Sequence, residues 1–240
     1  MNTFSKAVLF SKKASAAFLD LVFPRICLGC KRNVNREVPL CAACEANLRR
    51  NTTFFCGACR ARLPYNKKIC HRDCPYVLGA AGDYRDETLR NLIHGLKFEG
   101  VRSAAVPLGE FIARYLVSAN LASDGFAVVP VPLSRERERK RGFNQSLLVA
   151  NVLADRLRLP VLYGAVIKIK NAPPQSEAKD RETRRENVQG CFMVPDPAIV
   201  RKNILLVDDV ATSGATLHEV SRCLKRAGAK TIIAAVAAKA

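Results

Sequence analysis

Aromatic residues are scarce in this sequence, and tryptophan is absent. Phenylalanine and tyrosine together supply 7% of the residues, so few side chains are available to stack on nucleic-acid bases. The sequence also lacks both G-x-x-x-x-G-K-[ST] and G-x-G-x-x-G, which excludes the usual loops that bind nucleoside triphosphates and dinucleotides. What is present is a basic, cysteine-rich chain with an acidic pair late in its sequence.

Long apolar runs are missing from the start of the chain. Residues 1–24 carry Lys12 and Lys13 between two apolar patches, so they contain no uninterrupted signal-peptide core and are too interrupted to span a membrane. We expect these 24 residues to form an amphipathic helix that packs on the following segment. Weak attachment to a membrane surface is the alternative. Since no secretory signal is visible, we expect the protein to be cytoplasmic.

Acidic residues are few. Asp and Glu number 21 against 39 Lys and Arg, which gives a net charge of +18. Residues 1–76 hold 14 of the basic groups and four of the acidic groups, a net charge of +10, and are therefore the more densely basic part. Such a surplus favours a polyanionic partner, with nucleic acid as the first candidate. The alternative is that the surplus serves solubility alone.

Eight of the ten cysteines form an internal repeat. They read C-x2-C-x10-C-x2-C and then C-x2-C-x10-C-x3-C, with an offset of 29 residues. Two Cys-x-x-Cys turns supply the four sulfurs of a closed tetrahedral Zn²⁺ site, so the repeat predicts two structural zinc sites, with disulfides as the alternative. The predicted ligands are Cys27, Cys30, Cys41, Cys44, Cys56, Cys59, Cys70 and Cys74.

Spacing leaves the pairing of these ligands open. We expect each half of the repeat to close on itself, although an interleaved pairing has the same spacing. His71 lies beside Cys70 and is an alternative ligand in place of Cys70 or Cys74, although a histidine on the surface is the simpler interpretation. The remaining Cys191 and Cys223 have no predicted base beside them, and Cys223 falls on a predicted helix where packing explains it.

An acidic pair follows a strongly apolar segment in ILLVDDVATSGAT, residues 204–216. The apolar run is typical of a buried parallel strand, and the spacing from Leu217 onward predicts a helix. Ligands of open α/β sheets bind at the carboxyl ends of strands, where Asp208 and Asp209 lie. The small residues, the hydroxyls and the positive end of the helix suit a phosphate, whereas two carboxylates suit a vicinal diol or its metal-bound form. The segment therefore predicts a site for ribose 5-phosphate.

This segment resembles the phosphoribosyl pyrophosphate motif of type I phosphoribosyltransferases. The resemblance implies that Asp208 and Asp209 hold the ribose hydroxyls, with Mg²⁺ bound alongside the ligand. Purine-salvage members of that group carry an aspartate base at the position of Thr212, so a purine acceptor is not expected here. The resemblance also implies a 5-phosphate loop that consists of Ala211, Thr212, Ser213, Gly214, Ala215 and Thr216.

Two polar segments complete the predicted site. The run SRERERKRG occupies the place of the pyrophosphate loop in the same transferases, and arginine binds pyrophosphate through paired hydrogen bonds. Its candidates are Arg135 and Arg141, although two glutamates alternate with the basic residues. The long polar segment 169–190 resembles the flexible loop that closes over the ligand, with disorder as the alternative. Its candidate contacts are Gln175, Lys179, Arg181 and Arg185.

The cysteine repeat, LRNLIHGLKFEG, VVPVPLSRERERKRGFNQS, PPQS and LLVDDVATSGAT together resemble the ComF family of bacterial proteins over nearly the whole chain. The resemblance implies an α/β fold: a type I phosphoribosyltransferase-like parallel sheet flanked by helices in residues 77–240, preceded by a small N-terminal double zinc ribbon in residues 25–76. ComF proteins are associated with natural competence, the uptake and processing of single-stranded DNA. The resemblance therefore implies phosphoribosyl pyrophosphate as ligand, single-stranded DNA as a partner, and competence proteins as further partners.

The main alternative is an active, Mg²⁺-dependent phosphoribosyltransferase that acts on an unknown, non-purine acceptor. The sequence names no catalytic residue for such a reaction. For the DNA-binding interpretation, the candidate stacking residues are the aromatics among the ribbon cysteines: Phe54, Phe55 and Tyr65.

Overall fold

The computed structural model describes residues 26–34, 38–63, 70–71, 73–121, 125–170, 187–195, 199 and 201–240. Within these residues the helices are α1 Ala42–Asn47, α2 Glu87–Phe98, α3 Ala105–Ser118, α4 Arg135–Arg141, α5 Gln145–Leu157 and α6 Ala215–Arg226, with a 3₁₀ turn at Arg102–Ala104. The strands are β1 Phe55–Cys56, β2 Val77–Asp83, β3 Phe126–Pro130, β4 Ile167–Lys168, β5 Phe192–Met193, β6 Asn203–Ala211 and β7 Thr231–Lys239. The helix predicted for residues 1–24 lies outside the described residues.

Five strands form the central sheet, in the order β1-β2-β7-β6-β3. Strands β2, β7, β6 and β3 run parallel, whereas β1 is antiparallel to β2. Most residues of β6 and β7 are buried, as a near-continuous apolar sequence predicts for strands covered on both faces. Asp208 of β6 is paired with Val236 of β7 at the carboxyl end of the strands, which is where α/β sheets bind ligands.

Helices cover both faces of this sheet. Leu205 and Val207 of β6 belong to the core that α2, α3 and α5 form on one face. Ile204 and Leu206 belong to the core on the other face, against α6. This alternation follows from the side-chain geometry of a strand. The resulting three layers are the α/β architecture predicted from the sequence.

The cysteine-rich segment is built onto the sheet. Strand β1 pairs with β2 through Phe55 and Leu78, and the Tyr115 hydroxyl of α3 donates a hydrogen bond to the Thr53 carbonyl at 2.8 Å. The Phe54 ring packs edge-on against the Tyr115 ring, with centroids 5.9 Å apart. Residues on both sides of the predicted boundary between 76 and 77 therefore share one hydrophobic core.

The described helices are short. The longest, α3, has 14 residues. Within the described ranges no helix combines the length and the apolar character that crossing a bilayer requires.

Candidate functional site

Asp208 and Asp209 lie side by side at the carboxyl end of β6. Lys97, near the end of α2, forms an ion pair with Asp209, whose side chain is only 2% exposed. Two residues of α5 complete the surroundings. The Ser146 hydroxyl donates to Asp208 Oδ1 at 2.7 Å, and Gln145 Nε2 donates to Asp209 Oδ1 at 3.4 Å. Three elements that are far apart in the sequence therefore converge on the acidic pair.

The environment of Asp208 opposes its ionisation. Burial, followed by the charge of the neighbouring Asp209, raises the pKa of Asp208 to about 7, although Lys97 and Ser146 act in the opposite direction. The Asp209 N–H also donates to Asp208 Oδ1 at 2.9 Å. A divalent cation or a hydroxyl donor placed between the two carboxyl groups would favour their charged form.

The loop after β6, residues 211–216, turns directly into α6. Gly214 has a left-handed conformation with φ 78°, and the Ser213 hydroxyl accepts a hydrogen bond from the Ala215 N–H at 3.3 Å. Because Ala215 begins the 12-residue α6, the N–H groups of the first turn and the positive end of the helix dipole face this loop. A loop of small residues at a helix N-terminus suits a phosphate.

The acidic pair and the loop open into one cavity of about 1010 Å³. Its walls come from the end of α2, from α4, from the start of α5, from β4 and from residues 208–217. Burial and the charge of Arg137 lower the pKa of Lys168, and burial lowers the pKa of Arg141. A bound anion would relieve this crowding of positive charge. The cationic side chains that line the cavity are Lys97, Arg137, Lys140, Arg141 and Lys168.

The basic residues of α4 lie on two different faces of that helix. Residues three and four positions apart share one face of a helix, so Arg137, Lys140 and Arg141 line the cavity together. Arg135 borders a separate, shallow cavity of about 360 Å³. Of the two arginines predicted to contact pyrophosphate, the structure therefore places Arg141 at the acidic pair and Arg135 away from it.

Several cavity residues were missed from the sequence. Lys97 lies in the last turn of α2, within GLKFEG. Ser146 lies in the first turn of α5, and Lys168 belongs to the two-residue strand β4. In the sequence, these residues differ from other polar residues only in lying in or near the motifs that carry the family resemblance. A polar residue at a helix or strand end is normally solvated, so its type alone does not indicate a site. Their position follows from the tertiary fold.

The predicted flexible loop cannot be placed in the same way. Its candidates Gln175, Lys179, Arg181 and Arg185 lie outside the described residues. The described strands on either side, β4 and β5, pair antiparallel with each other. Lys168 of β4 and Phe192 of β5 both line the cavity, so the segment between them begins and ends at the rim of the site.

The first half of the cysteine repeat gathers around one point. Cys27, Cys30, Cys41 and Cys44 bring their sulfur atoms within 4.8 Å of one another, and the Cys30 and Cys41 sulfurs are 3.8 Å apart. Zn–S bonds of about 2.3 Å in a tetrahedral site hold sulfurs about 3.7 Å apart. These four residues, which we call the first cysteine group, therefore fit a closed zinc site.

The second half of the repeat gathers three cysteines and a histidine. Cys56, Cys59, Cys70 and His71 bring one ligand atom each within 4.8 Å of the others, and His71 Nδ1 lies 3.5 Å from Cys56 Sγ and 3.3 Å from Cys70 Sγ. Cys74 lies outside this second cysteine group, because its sulfur donates to the Tyr76 carbonyl at 3.3 Å. Of the three ligand sets considered from the sequence, the structure thus brings together the one with His71 in place of Cys74. Three thiolates and one imidazole are also a structural zinc set.

One cysteine in each group favours the thiolate form, whereas the pKa of Cys44 is raised to about 12 by burial and neighbouring sulfurs and that of Cys70 to about 12 by its sulfur neighbours. Burial acts to raise the pKa values of Cys27 and Cys56, but backbone N–H groups that donate to each sulfur outweigh it and bring both values to about 6. One such donor is the Cys41 N–H, 3.3 Å from Cys27 Sγ. Hydrogen bonds of this kind stabilise the thiolate that zinc requires. Cys191 and Cys223, which stand apart, donate to backbone carbonyls at 3.5 Å.

Two of the three aromatic residues predicted to stack on nucleic acid, Phe54 and Phe55, are buried. Phe54 is 4% exposed and Phe55 is 1% exposed, because pairing of β1 with β2 turns both rings into the core. The prediction for these two residues was therefore wrong, and Tyr65 lies outside the described residues. An exposed ring does stand at the cavity: Phe98, at the end of α2, is 68% exposed.

Comparison with known proteins matches two segments of the chain. Residues 143–240 match the phosphoribosyl transferase domain family, and residues 18–74 match the double zinc ribbon domain family. The chain is 28% identical to Competence protein F of Haemophilus influenzae over 222 residues, which cover 86% of this chain and 93% of that protein. The chain is therefore similar to a competence protein over most of its length, and it combines a double zinc ribbon match with a phosphoribosyl transferase match.

Other relatives show the same degree of similarity. Identity is 28% to Competence protein ComFC of Bacillus subtilis over 228 residues, 85% of this chain and 90% of that protein. It is also 28% to DNA utilization protein YhgH of Salmonella typhimurium over 211 residues, 86% of this chain and 87% of that protein. The likeness to ComF-type proteins thus spans the cysteine groups and the sheet together.

Proposed function

We propose that this protein is of the ComF type, that it binds phosphoribosyl pyrophosphate with Mg²⁺ at the end of β6, and that it supports the handling of single-stranded DNA in natural transformation. The shared cavity is the observation that carries the first part. An acidic pair, a phosphate-type loop and five cationic side chains surround one volume of about 1010 Å³. A sugar with two adjacent hydroxyls, a phosphate at one end and a pyrophosphate at the other would use all three.

The acidic pair suits the ribose. Ionised carboxylates accept hydrogen bonds from adjacent hydroxyls, and Mg²⁺ is commonly held by one or two carboxylates together with phosphates of the ligand. Since Asp208 has a pKa of about 7, arrival of the cation would release a proton from a fraction of the molecules at neutral pH. Affinity for the Mg²⁺ complex is therefore expected to rise with pH.

The two phosphate ends suit different walls of the cavity. The loop at residues 211–216 offers N–H groups and hydroxyls for the 5-phosphate. On the opposite side, Lys97, Arg137, Arg141 and Lys168 supply positive charge for the pyrophosphate. Lys97 is paired with Asp209, which offsets the cost of burying that carboxylate.

The second candidate function is turnover, as an Mg²⁺-dependent phosphoribosyltransferase with a non-purine acceptor. The cavity extends past the acidic pair to Phe98 and Phe192, which leaves room and apolar surface for an acceptor. Thr212 is exposed on the loop and supplies no base. Any transfer would therefore depend on electrostatic stabilisation of the leaving pyrophosphate by the cationic wall.

For single-stranded DNA, the surface around α4 fits better than the ribbon aromatics. Arg135 and Arg139 are exposed beside the cavity, and the Arg141 guanidinium lies 5.8 Å from the centre of the Phe98 ring. Positive charge along a strand together with an exposed ring for a base is the usual arrangement for binding without sequence preference. The relatives are named for competence and for DNA utilization, which supports the same direction.

Calorimetric titration of phosphoribosyl pyrophosphate with Mg²⁺ into the zinc-loaded protein tests the first part. We expect binding that Asp208→Asn weakens at least tenfold, about 1.4 kcal/mol. Asp83→Asn is the matched control, because Asp83 ends the parallel strand β2 and does not line the cavity. Equal binding by all three proteins would contradict the proposed site. Release of pyrophosphate in a screen of acceptors would favour turnover.

Fluorescence anisotropy with a labelled oligothymidine tests the second part. Phe98→Ala is expected to weaken binding by about fivefold or more, since base stacking is worth about 1–3 kcal/mol per ring. Tyr163→Ala is the control, because Tyr163 is exposed to the same degree, 67%, outside the cavity. Binding should also fall steeply with salt. An equal loss in both variants, or no DNA binding by the parent protein, would count against this surface.

A further inference from the structure

Gly214 belongs to residues 211–216, which we call the phosphate loop, and it lies against two residues, Tyr76 and Arg60, that contact the turn of the second cysteine group. A methyl group on its Cα would stand 3.0 Å from the Tyr76 hydroxyl and 3.7 Å from Arg60 Nη2. Tyr76 is 3% exposed, and its hydroxyl donates to the Gly57 carbonyl at 3.2 Å. Because Gly57 belongs to the turn that carries two of the proposed zinc ligands, one buried phenol reaches from the metal-binding turn to the loop.

Arg60 connects the same turn to the start of the loop. Its N–H donates to the Cys56 carbonyl at 2.9 Å and so closes the turn, while its Nη1 donates to the Ala240 carbonyl at 2.5 Å. The Ala240 N–H donates in turn to the carbonyl of Ala211 at 3.0 Å. Ala211 begins the loop and Gly214 is its last residue before α6, so the second cysteine group is connected to the loop at two points.

Cys74 has a place in this connection although it lies outside the metal group. A methyl group on Gly57 would stand 2.7 Å from Cys74 Sγ and 2.7 Å from the Tyr76 carbonyl. The Cys74 sulfur therefore fills the space between the turn and Tyr76, where its S–H donates to the Tyr76 carbonyl. Its role is to pack the turn against the phenol.

We propose that the second cysteine group is a positioning element for the phosphate loop. Its ligand set fits zinc, and a closed zinc site supplies rigidity rather than catalysis. A rigid turn fixes Tyr76 and Arg60, which in turn hold the loop with its N–H groups facing the cavity. A loop held in its binding conformation loses less entropy when phosphate binds. This inference rests on the proposed function, because it takes the loop as the phosphate site.

The hydroxyl of Tyr76 is the smallest part of this connection that can be removed. Tyr76→Phe is expected to weaken binding of phosphoribosyl pyrophosphate about three- to tenfold, the range for one lost hydrogen bond, with zinc content unchanged. Tyr115→Phe is the control, because the Tyr115 hydroxyl also donates from a buried ring to a ribbon carbonyl, that of Thr53. Equal affinities of Tyr76→Phe and the parent protein would overturn the proposal. If the parent protein itself does not bind, the proposed function fails and the next measurement decides this inference alone.

Hydrogen exchange of residues 211–217 tests the connection without a ligand. Cys59→Ser and Cys30→Ser remove equivalent exposed ligands from the two groups, one repeat apart. Measured by mass spectrometry on full-length protein with known zinc content, Cys59→Ser should speed exchange of the loop about tenfold or more, whereas Cys30→Ser should leave it within about twofold. Equal protection of the loop in the two variants, each having lost one zinc, would refute the positioning role.

Discussion

The two cysteine groups are copies of one another in sequence, but they pack on different parts of the α/β sheet domain. The first group packs on α2. Asn91 Nδ2 donates to the Leu28 carbonyl at 3.1 Å, and a methyl group on Gly95 would stand 2.9 Å from Leu28 Cδ1. The second group packs on the phosphate loop through Tyr76 and Arg60. The repeat therefore contacts the domain at two separate places.

Both places lie on elements that lead to the acidic pair. Helix α2 leads to Lys97, the ion-pair partner of Asp209, whereas the loop follows directly from the same strand as Asp209. The first group thus supports the helix that carries a cation, and the second supports the residues that would hold a phosphate. One repeated motif can serve two tasks because its surroundings, and not its ligands, decide what it holds in place.

Loss of one zinc should give the largest difference between the two cysteine groups, in stability and in ligand binding. Cys30→Ser and Cys59→Ser should each retain one zinc of two, measured by plasma mass spectrometry, and each should lower the melting temperature by about 10 °C or more, since structural zinc contributes directly to folding energy. Only Cys59→Ser should also abolish measurable binding of phosphoribosyl pyrophosphate at a temperature where both variants remain folded. Equal losses of binding would remove the distinction between the groups.

The fourth ligand of the second group gives the next largest effect. His71→Ala should reduce the zinc content from two to one, whereas Cys74→Ala should retain two, because the structure groups His71 and not Cys74 with the other ligand atoms. Cys74→Ala should still lower stability by about 1–2 kcal/mol, measured by urea unfolding, through lost packing against Tyr76. If His71→Ala retains both zinc ions, Cys74 and not His71 is the fourth ligand.

Replacement of Lys97, the cation on the helix that the first group supports, should shift the pH dependence of ligand binding. Lys97 lowers the pKa of Asp208, so Lys97→Met should raise that pKa and move the pH dependence of Mg²⁺-phosphoribosyl pyrophosphate binding upward. For a rise of about one pKa unit we expect affinity at pH 7 to fall about fivefold, because the ionised fraction of Asp208 falls by that factor, and to recover partly at pH 8.5. Calorimetry from pH 6 to pH 8.5 measures this. A uniform loss at every pH would assign Lys97 to direct contact with the ligand alone.

The smallest effect concerns stability without ligand. Asp208 has a pKa of about 7 in the folded protein against an ordinary value of 3.8, so the folded state binds more protons than the unfolded state between these values. Stability contributed by this group is therefore lost as pH rises through that window. Asp208→Asn should raise the melting temperature by about 2–4 °C at pH 8, and the gain should vanish near pH 4. A gain of the same size at both pH values would point to a cause other than ionisation.

The sequence predicted the parts of this molecule that short-range patterns determine. The strand, acidic pair, loop and helix in residues 204–226 follow from local periodicity and were placed correctly. The first cysteine group followed from spacing, because both of its Cys-x-x-Cys turns are regular. In the second group the x3 spacing before Cys74 departs from the repeat, and the adjacent His71 reaches the metal-binding point instead.

Features that depend on long-range pairing could not be read in advance. Phe54 and Phe55 stand in a polar, cysteine-rich context that favours exposure, and they are buried because a two-residue strand adds to β2. Arg135 and Arg141 have the same chemistry in the sequence, but the turn of α4 directs only Arg141 to the cavity. Lys97 reaches Asp209 because α2 packs on the sheet, and no local pattern contains that information.

The position of β7 has a consequence for how the chain is made. This strand lies in the centre of the sheet, between β2 and β6, and it pairs Ile233 with Val77, so β2 gains that neighbour only after most of the chain has been synthesised. The cysteine groups and β1 are local to β2 and can assemble around zinc much earlier. We therefore expect the nascent chain to pass through a stage in which a metal-stabilised segment presents the open side of β2, the type of strand edge that leads to aggregation.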